Sequence, residues 1–509
     1  YDFIIEKFKE MKLLYSFCPL LFSCTPYWAQ VISIGDTGNY LNLEAAASAN
    51  AINLGDTLLF QSQVFDDGTQ FLYDINGSID QPIVLKSMVQ HGAIFQGGSE
   101  AIHLTRCTNI EINGFVFEQQ TSNGVNIDDG GDYANVSKHI TIRNNIFRDM
   151  NASGNNDLLK MSGVDSFLIE QCQFINGGAG GSGVDFVGCH YGVVQDNNFD
   201  NSGTSGIQNK GGSQFIRIQR NIFRNISQRA LNLGGSTGLI FFRPPLPNPI
   251  VDAFEAADLD VFSNIFIGCW APIAYVGAVR VNVSNNTFYQ PENWVMRILQ
   301  ETTEPGFLPC GDNTFNNNII YLPSDLTEVN IGPNTNPSSF TISNNLWFNA
   351  SSNSWTLSLP VMDPNQIISN PLFVDANIED YHIESISPAI ASGLYQSNIV
   401  GDYDKNLYLN PPSIGAYEGD PSTTQTHIEI QATGINIYPN PSNNSVKLDG
   451  DFTDADIYIL DESGNVIQDL TNINAPYTIE LGSLPGGIYF IRIQSNSHTN
   501  MEVQKIIKY

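Results

Sequence analysis

The 509-residue sequence predicts an all-β protein: a right-handed parallel β-helix solenoid followed by a small C-terminal β-sandwich. One phrase, apolar-x-apolar-x-x-Asn-x-Phe, recurs along the chain and ends at Phe117, Phe147, Phe174, Phe199, Phe223, Phe266, Phe288 and Trp347. Most successive spacings are 22 to 30 residues, the length of one solenoid coil. From Ile435 the period gives way to short alternating strands separated by turn residues, which predicts the sandwich.

The repeated phrase also predicts what the interior of the β-helix contains. Coils stack about 4.8 Å apart, so residues at equivalent positions form ladders along the axis. The phenylalanines should form an aromatic stack. The asparagines that share one turn position, where side chains can satisfy backbone groups, are Asn145, Asn197, Asn221, Asn264 and Asn286. Cys172 replaces asparagine in one coil. An antiparallel sandwich, the alternative, would require hairpin turns and would show no fixed period.

The charge balance indicates which partners the surface can take. Only 15% of the residues are charged, but 52 acidic against 22 basic residues give a net charge of −30. Such a surface argues against non-specific binding to nucleic acid or to an anionic membrane face, and it fits an extracellular protein. We expect a monomer with no nucleic-acid partner. Binding of a polyanion would require a locally basic groove.

Residues 1–30 are predicted to be a leader. Met11 begins a segment with a lysine, an apolar run and small residues near Ala29, which is the pattern of a secretory signal peptide. The residues before Met11 are interpreted as an over-extended start, and the mature chain should begin near Gln30. Lipidation at Cys24 is the alternative.

The remaining cysteines are Cys107, Cys172, Cys189, Cys269 and Cys310. Their number is odd and they include no CxxC pair, so we expect buried small apolar residues instead of a disulfide framework or a zinc site.

The β-helix is predicted over residues 31–418. An alanine-rich amphipathic segment at 42–53 should form a short helix that caps the open hydrophobic end. Insertions interrupt the repeats at 236–257 and after Arg297, and insertions in solenoids often wall a binding groove. After Trp347 the repeat decays into expected closing coils and a cap.

The C-terminal part separates into a linker and a second domain. Residues 419–434 are polar and rich in turn residues, which predicts the linker, and residues 435–509 form the predicted sandwich. This tail carries YPNP at 438–441, LPGGIYFIRI at 484–493 and a closing KIIKY. It resembles the type A sorting domain of the type IX secretion system of Bacteroidetes. The resemblance implies export through the outer membrane by that machinery, to a secreted or cell-surface location.

The strand after each Phe turn places polar residues on the outer face of one sheet, because side chains alternate along a strand. The first predicted outer row is Asn126, Lys160, Asp185, Gln208, Asn232 and Ala274. The second row, two residues further on, is Asp128, Ser162, Val187, Lys210 and Gly234. Asp157 and Arg229 enter at strand starts, and Arg243 and Arg297 should reach in from the insertions. If these residues only form solvated ion pairs, each pair contributes about 0–1 kcal/mol.

A parallel β-helix with a polar sheet face resembles the pectate-lyase-like superfamily of secreted carbohydrate-active enzymes. The resemblance covers residues 31–418 and implies a polysaccharide partner. The first hypothesis is a polysaccharide lyase that cleaves an anionic, uronic-acid polysaccharide by β-elimination. A lyase needs a neutral base, and burial together with neighbouring cations can lower the pKa of a lysine far enough. Lys210 and Lys160 are therefore the base candidates. Arg229 and Arg243 would hold the substrate carboxylate.

Other candidates would bind substrate or metal. The predicted substrate-binding residues are Asn126, His190, Gln208, Asn232, Arg243 and Arg297. The predicted ligands of a Ca²⁺ cofactor are Asp128, Asp157 and Asp185, because Ca²⁺ prefers oxygen ligands.

Two other functions stay open. A glycoside hydrolase needs two carboxylates about 5–5.5 Å or about 6.5–9.5 Å apart, which Asp157 and Asp185 on adjacent coils could supply. A polygalacturonase-like pattern is present only in fragments and in the wrong order, at Asp128 and Asp129, 155–157 and 188–190. A non-catalytic glycan-binding or adhesive surface protein would bind saccharide without creating reducing ends.

Overall fold

The structure is a computed structural model that describes residues 29–352, 354–399, 401–419, 436–438, 440, 442, 444–450, 452–460, 466–485, 487–495 and 501–508. The predicted leader up to residue 28, with Cys24, and the linker from residue 420 lie outside the described residues. The chain divides into two compact units after Ser422.

Successive coils in the described part of the first unit build three parallel sheets, which confirms the predicted parallel β-helix and excludes the antiparallel sandwich. Sheet 1 comprises Val31–Ile34, Thr57–Phe60, Ile83–Ser87, Thr108–Asn113, Ser137–Arg143, Val164–Glu170, His190–Gln195, Ser213–Gln219, Ala256–Ala257, Asp260–Phe262, Ala278–Val279, Asn282–Ser284, Thr314–Asn316 and Thr341–Ser343. Sheet 2 comprises Val64–Phe65, Ile94–Gln96, Val116–Glu118, Ile146–Arg148, Gln173–Ile175, Asn198–Asp200, Ile222–Arg224, Ile265–Ile267, Thr287–Tyr289, Ile319–Leu322, Leu346–Asn349 and Ile367–Ile368. Sheet 3 comprises Gln70–Tyr73, Ile102–Thr105, Val125–Asp128, Leu159–Ser162, Ser182–Val187, Ser205–Lys210, Arg229–Gly234, Ile273–Val276, Met296–Leu299 and Val329–Ile331.

The predicted aromatic stack lies inside sheet 2. From Phe117 to Phe288, consecutive ring centroids are 4.7 to 5.0 Å apart, close to the inter-strand distance. The rings are fully buried or nearly so. Because each ring must face its neighbour on the next coil, the stack fixes the register of sheet 2.

The predicted asparagine ladder fills the turn between sheets 1 and 2. Oδ1 of Asn264 accepts hydrogen bonds from the backbone N–H of Asn221 (2.9 Å) and from its side-chain amide (3.0 Å). Nδ2 of Asn264 donates to the carbonyl of Ile218 (2.9 Å). The continuous ladder is Asn197, Asn221, Asn264, Asn286, Asn318, Asn345 and, at its end, the carboxylate of Asp363. The residue before each ladder asparagine from Asn197 to Asn345 has φ between +53° and +57°, so the turn is tight and its N–H groups need these partners.

The predicted capping helix is Leu43–Ser48. Asn42 caps it, since its side chain accepts a hydrogen bond from the backbone N–H of Ala45 at 2.9 Å. Leu43 and Ala46 are buried, and the helix packs against Gln70–Tyr73, the end strand of sheet 3. The helix therefore covers the open hydrophobic end, as predicted.

The C-terminal part of the first unit differs from the predicted closing coils and cap. A segment from Trp355 to Val361 packs against the core in that way, and Ile367–Ile368 adds the last strand of sheet 2. The antiparallel pair Phe373–Asp375 and Asp380–Ile383 follows, and the chain then runs back along earlier coils. Lys405 reaches Asp196 at 3.1 Å. Backbone carbonyl groups of this segment accept hydrogen bonds from side-chain amides at the turn of the ladder, which explains its path. Asn285 donates to the carbonyl of Ser413 (3.1 Å) and Asn317 donates to the carbonyl of Leu394 (2.7 Å).

The second unit is the predicted small β-sandwich of two antiparallel sheets. Its described strands are Asn436–Tyr438, Ser445–Asp449 and Tyr477–Glu480 in one sheet, and Val466–Ile473, Ala455–Leu460, Gly487–Ser495 and Met501–Lys508 in the other. Alternate residues such as Ile457, Ile459 and Ile491 point into a shared apolar core.

The cysteines of the β-helix behave as predicted. All five described cysteines are buried and none is in a disulfide. Burial raises the pKa of the Cys107 thiol to about 11 and that of the Cys172 thiol to about 12, which keeps both neutral. No helix within the described ranges is long and apolar enough to cross a membrane.

The ladder makes a stability prediction. Asn264→Ala should lower the free energy of unfolding by roughly 2–4 kcal/mol, because it leaves the buried N–H of Asn221 and the carbonyl of Ile218 without partners. The measurement is urea unfolding followed by circular dichroism. The exposed Asn398→Ala is the matched control and should change stability by less than about 0.5 kcal/mol. Equal effects of the two variants would contradict the structural role of the ladder.

Candidate functional site

A cleft of about 560 Å³ lies on the outer face of sheet 3. Lys160, Ser162 and Lys210 from the strands line one side of it. The insertion lines the other side with a segment, residues 236–243, that we call the roof. The insertion therefore walls a groove on the predicted polar face.

The strands of sheet 3 pair in the predicted register. Lys160 lies opposite Asn126 on one side and Asp185 on the other, and Lys210 lies opposite Val187. The complete outer row is Phe71, His103, Asn126, Lys160, Asp185, Gln208, Asn232, Ala274, Arg297 and Asn330. His103 and Asn330 extend the predicted row in both directions, and Arg297 belongs to a strand of the row and not to an insertion.

Asp185 is the centre of the charged cluster. Its Oδ2 accepts from the Lys160 ammonium and lies 3.1 Å from Nζ of Lys210. Nζ of Lys160 is also 3.5 Å from Oδ2 of Asp157. Both carboxylates are fully buried, whereas the side chains of Lys160 and Lys210 are 16% and 10% exposed. The lysines thus present positive charge to the cleft, with the negative charge beneath them.

The cluster separates the protonation states of the two buried carboxyls. Burial alone would raise the pKa of Asp185, but the Lys160 and Lys210 charges outweigh it and hold that pKa below its usual value. Burial and the neighbouring Asp185 charge raise the pKa of Asp157 to about 6. For Lys160, burial lowers the pKa, but Asp185 and Asp157 together raise it above the usual value. Lys160 is therefore a protonated cation, which is the opposite of what a base requires.

His103, one coil before Asn126, is a functional candidate that the sequence analysis missed. Its Nδ1 lies 2.7 Å from Oε2 of Glu100 and its Nε2 lies 2.9 Å from Oδ2 of Asp128, which borders the cleft. Burial would lower the pKa of the imidazole, but the two carboxylates raise it to about 9. His103 is thus an imidazolium at neutral pH. Extending the outer row by one coil, to IHLT at 102–105, would have found it.

Arg243 holds the roof on the sheet. Its guanidinium makes two hydrogen bonds to the buried Asp129 carboxylate, one of them from Nη2 to Oδ1 at 2.7 Å. It also stacks on the ring of Tyr133, 4.7 Å from the centroid. Gly212, at φ +88°, allows this approach, since a Cβ there would lie 2.5 Å from the carbonyl oxygen of Arg243. Arg243 lines the cleft as predicted, but Asp129 already neutralises it.

Glu255 ties both insertions to the strand that carries Lys210. Its fully buried carboxylate accepts from the backbone N–H of Gly211 (3.1 Å) and from the backbone N–H of Thr237 (2.9 Å). The hydroxyl of Thr302, in the second insertion, donates to the same carboxylate. No sequence pattern indicated this role, because Glu255 lies in an irregular loop.

Other predicted residues lie elsewhere. Arg229 does not stand beside Lys210 as expected: its Nη2 pairs with Glu301 at 2.8 Å and its Nη1 donates to Asn232 at 3.1 Å. His190 begins a strand of sheet 1, where Nδ1 is 2.9 Å from Oδ1 of Asp165, and it does not line the cleft.

The remaining row residues provide amide groups beside the charges. Asn126 donates from Nδ2 to Oε1 of Glu100 at 3.1 Å. Gln208 lies between Asp185 and Asn232 in the row. The assignment of Asn126 and Gln208 to substrate binding remains a prediction.

The predicted Ca²⁺ ligands do not fit a metal. Lys160 stands between Asp157 and Asp185, where a cation would have to lie, and Asp128 is engaged by His103. Within the described residues, no three His, Cys, Asp or Glu side chains come together as a metal site. We therefore expect that EDTA changes neither the midpoint of thermal unfolding nor any activity. A rise of that midpoint when Ca²⁺ is added back after chelation would contradict this expectation.

The environment of His103 predicts a pH-dependent stability. The folded pKa is about 9 and the reference value is 6.5, so the stabilisation is complete below pH 6.5 and is lost as the pH rises through 9. Because the imidazole is only half buried, screening reduces the effect to about 1–2 kcal/mol. Urea unfolding at a series of pH values should show this loss in the wild type and not in His103→Gln. Glu100→Gln should shift the His103 titration, followed by NMR, to lower pH; an unchanged titration would contradict the ion pair.

Comparisons with known proteins agree with the two units. Residues 100–288 match the family described as right handed beta helix region, and residues 436–509 match the secretion system C-terminal sorting domain. No curated protein matches the chain. Similar solved structures include an alginate lyase from Paenibacillus sp. str. FPU-7, with 14% identity, coverage of 62% of this chain and 99% of that chain, and a TM-score of 0.39. They also include pectate lyase Pel9A, with 15% identity, coverage of 77% and 97%, and a TM-score of 0.41.

A mannuronic acid specific family 6 lyase from human gut microbiota has 10% identity, coverage of 63% of this chain and 74% of that chain, and a TM-score of 0.41. The first match falls within the coils of sheets 1 to 3, and the second coincides with the C-terminal sandwich. The protein is thus a right-handed parallel β-helix with a C-terminal sorting domain for export by type IX secretion to the cell surface or beyond.

Proposed function

We propose that the protein is a secreted polysaccharide lyase that cleaves an anionic, uronic-acid polysaccharide in the cleft over sheet 3. One observation carries the proposal: Lys160 and Lys210 line a single cleft of a chain that has only 22 basic residues and a net charge of −30, and Arg243, paired with Asp129, borders the same cleft. Their carboxylate partners lie beneath the surface, fully or almost fully buried. This is the locally basic groove that a polyanion requires.

The chemistry of β-elimination assigns the lysines different roles. The base removes the proton from C5 of the uronate and a C4–C5 double bond forms. The glycosidic oxygen leaves C4 with the bonding electrons and takes up a proton, from the protonated base or from water, to become a hydroxyl group. Negative charge develops on the substrate carboxylate, and a protonated lysine beside it lowers the barrier. Lys160 has the raised pKa of such a cation, which corrects its prediction as a base. Lys210 remains the base candidate on position alone, because it reaches the cleft from the adjacent row. Its Nζ lies 3.1 Å from Oδ2 of Asp185, and it must give up that contact to accept the C5 proton.

A glycoside hydrolase is the second candidate, and the opposite pKa shifts of Asp157 and Asp185 favour it. Those two carboxyls are fully buried, however, and Lys160 lies between them. They are better suited to position the lysines than to contact a glycosidic oxygen.

The deciding experiment incubates the mature protein with pectate, alginate and glycosaminoglycans. Ultraviolet absorbance of the new double bond and reducing ends are followed together. Both signals support the lyase, reducing ends alone support the hydrolase, and neither signal together with retained binding supports a non-catalytic glycan-binding protein.

Site variants then test the roles. Lys210→Ala should lower kcat by at least about 100-fold, since it removes the proton acceptor. Lys160→Gln should raise KM as well as lower kcat, because the carboxylate loses its cation in both the ground state and the transition state. Lys86→Ala, at an exposed position of sheet 1, is the control and should change neither constant. Full activity of Lys210→Ala would exclude Lys210 as the base.

A further inference from the structure

A second polar surface lies on the outer face of sheet 3, beyond the cleft. Arg297 occupies the same outer row as Asp185, four coils further along. At about 4.8 Å per coil, this is roughly 19 Å along the axis. Trp294 lies in the turn that leads into the Arg297 strand, and Trp270 lies in the corresponding turn of the preceding coil. We call Trp270, Trp294 and Arg297 the distal cluster.

The three side chains of the distal cluster contact each other. The indole centroids of Trp270 and Trp294 are 4.5 Å apart in an edge-to-face arrangement. The guanidinium carbon of Arg297 lies 4.5 Å from the Trp294 ring and 5.8 Å from the Trp270 ring. Its Nε donates to Oδ1 of Asn330 at 3.1 Å. All three side chains are partly exposed, so a ligand can reach them.

The charge of Arg297 is only partly compensated. Among the described residues it forms no ion pair, and the nearby carboxylate of Glu301 is bonded to Arg229 at 2.8 Å. Two guanidiniums therefore share one carboxylate, although the chain has 52 acidic residues. Burial and the charge of Arg229 lower the pKa of Arg297, and the charge of Glu301, which is bonded to Arg229, opposes them only in part. Partial burial of such a charge is unfavourable unless an anion supplies the missing partner.

The other groups of the distal cluster suit a sugar. Neither indole N–H donates a hydrogen bond within the described part of the chain. Indole rings offer rigid apolar contact area together with a polar N–H, and arginine binds carboxylates through two parallel hydrogen bonds. A uronate presents these complementary features, an apolar ring face and a carboxylate.

We propose that the distal cluster is a saccharide subsite that binds a carboxylate-bearing sugar unit of the polysaccharide whose other units occupy the cleft. Arg297 binds the carboxylate and the two tryptophans contact the ring. The inference rests on the proposed function for the identity of the polymer, but the binding itself requires no cleavage. The straight outer row sets the direction in which the polymer lies, parallel to the axis of the β-helix.

The test measures binding of oligogalacturonate and oligoalginate by calorimetry and tryptophan fluorescence, in a Lys210→Ala background that limits turnover. Arg297→Gln should weaken binding of long acidic oligomers by about tenfold or more. It should leave the binding of methyl-esterified oligogalacturonate unchanged, because the ester carries no negative charge. Trp294→Leu should weaken binding of both forms. Arg280→Gln is the control and should change nothing; Arg280 is exposed, lies between the strands Ala278–Val279 and Asn282–Ser284, and pairs with Asp258.

A purely structural role of Arg297 makes different predictions. In that case Arg297→Gln would lower the midpoint of thermal unfolding, or weaken binding of the esterified and acidic oligomers equally, and either result would overturn the proposal. Unchanged affinity of Arg297→Gln for long acidic oligomers would also overturn it.

Activity separates this proposal from the proposed function. If the wild type cleaves a polymer, Arg297→Gln should raise KM for long chains and leave kcat, and the turnover of the shortest cleaved oligomers, unchanged. If the wild type cleaves no polymer and Arg297→Gln weakens the binding of acidic oligomers, the lyase proposal is wrong and the subsite proposal holds. If the wild type cleaves a polymer and Arg297→Gln leaves KM unchanged, the lyase proposal holds and the subsite proposal is wrong. Absence of binding to every oligomer would overturn both.

Discussion

The register between neighbouring coils is the constraint on which the rest of the structure depends. Side chains alternate along a strand, so a slip of one residue would turn the outer row of sheet 3 into the core and expose the apolar row. Two ladders prevent this. The stacked rings from Phe117 to Phe288 fix sheet 2, and the asparagines from Asn197 to Asn345 fix the neighbouring turn. The cluster around Asp185 inherits its geometry from these interactions.

The charged groups on sheet 3 form layers. Asp157 and Asp185 lie fully buried, the lysines lie above them, and the roof covers part of the surface. Buried carboxylates in such a layer are costly unless each is paired or protonated. Asp185 is paired with Lys160 and Lys210. Asp157 lies 3.5 Å from Nζ of Lys160 and has a pKa raised to about 6, so it takes up a proton below that pH. The layer thereby positions two lysines beside the cleft and keeps Asp157 and Asp185 away from an anionic substrate, while the partly exposed Asp128 at the cleft is paired with His103.

The sequence allowed prediction of what repeats and not of what departs from the repeat. Period and strand alternation predicted the coils and the outer row, including Lys160 beside Asp185. Asn318 was missed because its coil ends on Ile320 instead of phenylalanine. The Arg243–Asp129 pair was missed because Arg243 lies in an irregular loop and its partner comes 114 residues earlier, just after a strand end. The direction of the pKa shift of Lys160 could not be predicted either, since it depends on how closely Asp157 and Asp185 approach its ammonium group in three dimensions.

The 236–257 insertion leaves the ladders on both sides of it intact. Arg217 pairs with Asp260 and Phe223 stacks on Phe266, as they would if the coils followed each other directly. Glu255 and Arg243 fasten the loop from its own side. The roof is therefore exchangeable: a loop of different length and composition, with the same two anchors, could change which saccharides enter the cleft while the scaffold beneath stays as it is.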